Sequence, residues 1–85
     1  MANVIELGAD EQPPASATYY AMVVVLAAGV EVTIPTIRHD RGATFYVRPV
    51  QTEVDHAVER ARSWADLHHA ENVYIQRAEA RAGFV

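Results

Sequence analysis

The chain has 85 residues, 51% of them hydrophobic and 21% charged, with a formal net charge of −4. That length holds one domain (residues 1–85) and no second core, and the composition is that of a globular protein. An acidic balance disfavours non-specific DNA binding, which depends on neutralising many phosphates, and the absence of cysteine removes disulfides, thiolate zinc sites and thiol nucleophiles.

All seven basic residues are arginine, a bias that GC-rich genomes produce. The start, MANVIELGADEQ, carries acid where a signal peptide has a basic region. The apolar run from Tyr19 to Val30 is shorter than the roughly 20 residues of a spanning helix. The expectation is a soluble protein with no membrane partner, located in the cytoplasm (host cytoplasm or virion if phage-encoded).

In chain order, Asn3–Leu7 is a short β-prone segment suited to a sheet edge. Residues 8–17 collect Gly, Asp, Pro13-Pro14 and Ser, the composition of a loop or flexible arm. Thr18–Ala28 (TYYAMVVVLAA) is the central strand. Its aromatic and β-branched residues favour a strand, and both period-two faces are apolar, the pattern of a strand buried on two sides. Ala27-Ala28-Gly29 reads as a tight turn. Val30–Arg38 follows as a half-buried strand with Val30, Val32 and Ile34 inward, interrupted by Pro35. His39-Asp40-Arg41-Gly42 is a polar turn closed by glycine. Ala43–Val50 is a third strong strand, with Phe45 and Val47 on one face, Thr44, Tyr46 and Arg48 on the other, and Pro49 ending it.

Thr52 is predicted to open a helix, with Thr52-Glu53-Val54-Asp55 resembling a capping box. Its apolar stripe comprises Val54, Ala57, Val58, Ala61, Trp64, Ala65 and Leu67 or His68, narrow and rich in alanine, so the helix can lie close on a sheet. Arg62 and Asp66 are spaced to pair at i, i+4. Glu71-Asn72 is a turn and Val73–Arg77 a return strand, which makes a βαβ unit whose last strand runs parallel to the Phe45 strand. Residues 78–85 form a tail suited to packing Phe84 on a neighbour. The fold class that follows is α+β: a small, mostly antiparallel sheet of three to five strands, one amphipathic helix on one face and a C-terminal βαβ-type return strand.

No catalytic, cofactor or metal site emerges. His39, His56, His68 and His69 lack the i, i+3 or i+4 partners of a complete ligand set, and the pair at the helix end suits the helix dipole. Ser16 and Ser63 have no base and acid in a triad pattern. Arg41-Gly42-Ala43-Thr44-Phe45 partly matches an RNA-recognition strand, which makes Arg38, Arg41, Tyr46 and Arg48 possible nucleic-acid contacts in an alternative reading.

The passage Trp64-Ala65-Asp66-Leu67-His68-His69-Ala70-Glu71-Asn72-Val73-Tyr74-Ile75-Gln76-Arg77 resembles the C-terminal part of small uncharacterised proteins of actinobacteria and their phages. The resemblance implies no activity.

One helix covers one face of a sheet, yet the central strand is apolar on both. The second face then needs an arm, a tail or another chain to cover it. Tyr20, Met22, Val23, Val24, Val25, Leu26 and Phe84 are the expected interface residues, and a two-fold homodimer is the expected partner arrangement. The leading functional expectation is a non-enzymatic protein that self-associates and acts through protein–protein contacts, such as a phage accessory or structural protein. The alternatives are a small RNA- or single-stranded-DNA-binding module and an enzyme with its site at a dimer interface.

Overall fold

The computed structural model describes residues 2–27 and 36–77. In chain order these form β1 (Asn3–Leu7), β2 (Tyr20–Val25), β3 (Thr36–His39), β4 (Gly42–Val47), α1 (Gln51–Leu67) and β5 (Asn72–Arg77). The strands make one five-stranded sheet in the order β1-β5-β2-β4-β3, and α1 lies over β2, β4 and β5 without reaching either edge strand. This is the α+β arrangement of one helix on one sheet face that the sequence predicts. The β2 strand takes its predicted central place. The expected turn at Ala27-Ala28-Gly29 and strand residues Val30, Val32 and Ile34 lie outside the described residues or run into them, as does the tail 78–85 with Phe84.

The sense of the sheet differs from the expectation of a mostly antiparallel one. β1 with β5, β5 with β2, and β2 with β4 are all parallel, and only β3 with β4 is antiparallel. A hairpin from β2 into the next strand would have made β3 its antiparallel neighbour. Instead β3 pairs with β4 alone, through the two-residue turn Asp40-Arg41. The near-continuous apolar run of β2 fits its place between two parallel neighbours. β5 does run parallel to β4, as the βαβ reading requires, but β2 lies between them.

The core forms between α1 and one sheet face. Ala21, Val23 and Val25 of β2, Ala43, Phe45 and Val47 of β4, and Val73 of β5 meet Val54, Ala57, Ala61 and Ala65 of the helix. Three alanines spaced four apart keep the helix side of this contact small, and Ala61 and Ala65 are completely buried. Val58, Trp64 and Ile75 close the margins. Leu67 does not join the stripe: it is 75% exposed, because the helix ends there and turns away.

Both helix ends are built differently from the sequence expectation. The N-cap is Val50, extended after Pro49 and with no side-chain cap, so Thr52 sits inside the first turn and forms no capping box. Gln51 Nε2 instead donates to Asp55 Oδ1 at 2.8 Å. At the other end His68 is the C-cap, His69 has a φ of 59°, and the Ala70 N–H donates to the Ala65 carbonyl at 2.8 Å. That is a Schellman-type ending with histidine at the left-handed position that glycine usually fills. The expected Arg62–Asp66 pair is not among the ion pairs of the described residues; Asp66 Oδ1 accepts the Ala2 N–H at 3.2 Å instead.

Candidate interaction surface

Side chains alternate along each strand, so the residues that do not face α1 line the other side of the sheet. The registers place Ile5 beside Tyr74, Tyr74 beside Met22, and Met22 beside Thr44, which in turn neighbours Ile37. Residues 8–19, which return the chain from the end of β1 to the start of β2, strap across the β1–β5 part of this side. Gln76 Nε2 holds one end of the strap, within 2.8 Å of the Gly8 carbonyl, 3.1 Å of Ala9 and 2.7 Å of Glu11. Arg41 holds the other end by donating to the Ala15 and Ala17 carbonyls. Beneath the strap Leu7 and Tyr74 are buried.

Beyond the strap, no second helix or strand among the described residues lies over the β2–β4–β3 part. Tyr20, Met22, Val24, Leu26 and Tyr46 are half-buried there, and Ile37 is 42% exposed. This divides the predicted interface residues. Val23 and Val25 are buried under α1, at 0% and 3% exposure, and are core residues instead of surface ones, because the helix selected their side of β2. Tyr20, Met22, Val24 and Leu26 remain on the open side. Tyr20 is itself engaged, edge-on to Tyr74 at 5.4 Å and beneath the Arg41 guanidinium at 5.7 Å.

The four residues of the nucleic-acid reading are not brought together. Arg38 is paired in register with Ala43 and so belongs to the helix side of the sheet, whereas Tyr46 is on the open side. Arg41 and Arg48 flank opposite ends of β4, about 20 Å apart at the rise of a strand. Arg41 is committed to the strap. Arg48 donates to Glu53 through Nε at 3.1 Å and Nη2 at 2.8 Å. The hydrogen bond to Glu53, and then its charge, raise the Arg48 pKa above its ordinary value.

A cleft of about 360 Å³ opens between the strap and the end of the helix. Its lining includes Ile5, Ser16, Tyr19, His69, Asn72 and Tyr74, and the Asn72 amide donates to the Tyr74 hydroxyl at 3.3 Å. Beside it Trp64 stacks on His68 at 4.5 Å and meets Tyr19 at 5.3 Å. The Trp64 indole nitrogen is buried with no hydrogen-bond partner among the described residues. Among the described residues no three His, Asp or Glu side chains are placed to share a metal ion, and no helix is long and apolar enough to cross a membrane.

Sequence reasoning singled out neither the strap's anchor Gln76 nor the edge residue Ile5. A signal existed for Ile5: Val4-Ile5 puts an aliphatic side chain on each face of a short strand without a proline. Gln76 offered none, since its partners are backbone carbonyls far away in sequence. Comparison with protein-family models, curated proteins and solved structures finds no match to this chain.

Proposed function

We propose that this is a non-enzymatic protein that self-associates and acts through protein–protein contacts made on the open side of its sheet. The observation that carries the reading is the division of β2: Val23 and Val25 lie under the helix, while Met22 and Val24 have no second layer of secondary structure over them among the described residues. The acidic balance and the scattering of Arg38, Arg41 and Arg48 weigh against the nucleic-acid alternative. The arginine-only basic set, with the resemblance of residues 64–77 to small actinobacterial and phage proteins, supports a phage accessory or structural setting.

Sedimentation velocity tests the self-association. A concentration-dependent dimer supports it, and a monomer at high micromolar concentration ends it. Two substitutions then test the surface. Val25→Asp buries a charge in the core and unfolds the protein, whereas Val24→Asp leaves a folded chain with altered association. Two unfolded variants would show that both sides of β2 are core.

A second reading, a ligand or substrate site at a dimer interface, is favoured by the polar lining of the cleft beside Ile5. A fragment screen read by amide chemical shifts checks it: shifts clustered on Ser16, His69 and Asn72 support a site, and scattered shifts dismiss it.

A further inference from the structure

The two edges of the sheet are built differently. β3 is four residues long, follows Pro35 in the chain and carries an exposed Arg38. A short strand with a basic side chain discourages another strand from adding there. β1 has none of these guards. Its register with β5 is unbroken from Asn3 to Leu7, Val4 and Ile5 are 42% and 39% exposed, and its one charge, Glu6, is engaged by Arg77 at 3.4 Å.

The hydrogen bonds define what this edge offers. Asn3 donates to the Glu71 carbonyl, on the β5 side. Because successive residues turn their backbone groups to opposite sides, Ile5 and Leu7 also face β5, and Val4 and Glu6 face outward. The next outward donors at either end are already satisfied: Ala2 N–H by Asp66 Oδ1 at 3.2 Å and Gly8 N–H by Glu11 Oε1 at 2.9 Å. Between these caps, Val4 and Glu6 turn away from β5, the one strand that β1 pairs with among the described residues, and no other backbone group there bonds to them.

We propose that a second copy of this chain adds at this edge, its β1 antiparallel to the first about a two-fold axis at Ile5. The proposal rests on the self-association reading but moves its contact from the open side of the sheet to the β1 edge, two strands away from Val24. In this register Val4 faces the partner's Glu6 and Glu6 faces the partner's Val4, each pair exchanging two backbone hydrogen bonds. Ile5 meets the partner's Ile5 as the close, non-hydrogen-bonded pair between them. Centring the axis on Glu6 opposes two like charges and aims Val4 at a capped glycine; centring it on Val4 aims Glu6 at the capped Ala2. Only the Ile5 register uses all the free groups. The occupant is a second copy because the window is short and self-complementary: Val4 and Glu6 each offer one backbone donor and one acceptor, and a two-fold axis at Ile5 matches them all. The two sheets become one, with both open sides on the same surface.

Cross-linking tests the register. The chain has no cysteine, so Ile5→Cys supplies a single thiol. Its partner's Cα lies about 4.5 Å away across the axis, within disulfide reach. Mild oxidation should convert Ile5→Cys to a covalent dimer while Ile37→Cys, equally exposed at the guarded edge, stays monomeric. Val4→Pro deletes an outward donor that its own sheet does not use; it should melt like the wild type yet raise the dimer dissociation constant at least about tenfold. Ile5→Cys leaves the backbone intact and decides the matter alone if Val4→Pro does not fold. A monomeric wild type overturns both the pairing and the self-association reading. A dimer that ignores Val4→Pro, does not cross-link through Ile5→Cys and is lost in Val24→Asp overturns the edge pairing alone.

Discussion

Gly42 and Tyr20 lie in register on neighbouring parallel strands, and a Cβ on Gly42 would overlap the Tyr20 carbonyl. Gly42 also has a φ of 150°, which side chains other than hydrogen rarely tolerate. The glycine is needed for two reasons at once: it closes the β3–β4 turn, and it lets β4 approach the first residue of β2. Gly42→Ala should therefore destabilise the protein by about 3 kcal/mol in urea titration, combining backbone strain with displacement of β2. A midpoint equal to wild type would show that the strands do not pack this closely.

The alanine stripe sets the distance between helix and sheet. Ala61 has no exposed surface and faces the fully buried Ala21, Val23 and Ala43 side of the sheet. Ala61→Leu should cost about 1–3 kcal/mol by overpacking, whereas Arg60→Leu, one residue away on the exposed face, should stay within about 0.5 kcal/mol. Equal effects in chemical denaturation would mean that the helix is not held at alanine distance.

Gln76 ties the strap to β5 through one amide nitrogen and three carbonyls. Gln76→Leu removes the donor and should cost about 1 kcal/mol of global stability. Gln76→Glu replaces it with an acceptor facing acceptors, and should release the strap further. Hydrogen exchange at residues 8–17 measures this directly; protection unchanged in both variants would mean that the strap is held from elsewhere.

His69 occupies a left-handed backbone position where glycine carries no side-chain penalty. His69→Gly should stabilise the protein by about 0.5–1 kcal/mol, a Tm rise of roughly 2–8 °C for a chain of this size. A fall in Tm would mean that the imidazole makes a contact worth more than the strain it imposes.

The local elements were legible because their signals are local. The Val54, Ala57, Ala61, Ala65 stripe has the helical period, and the beginning of β4 follows from Gly42, but the strand ends at Val47, short of the expected Val50, which is the N-cap of α1. The capping box at Thr52 misled because a matching pattern does not say where the backbone first turns helical; Pro49 and an extended Val50 set that point one residue ahead of Thr52. The paired face of Val23 and Val25 was legible as apolar but not as core, since both sides of β2 read alike until the helix is placed on one of them.

By itself, then, the sequence determined a central apolar strand, a polar hairpin turn and an alanine-faced helix, all through patterns spanning a few residues. The tertiary structure alone decided that the first strand pairs with the last, that the sheet is mostly parallel among the described residues, and that Val23 and Val25, not Met22 and Val24, face the helix. These depend on contacts between residues far apart in the chain. The hydrophobic effect rewards burial without direction, so an apolar strand specifies that it must be covered, while backbone pairing and the path of the connections settle by what.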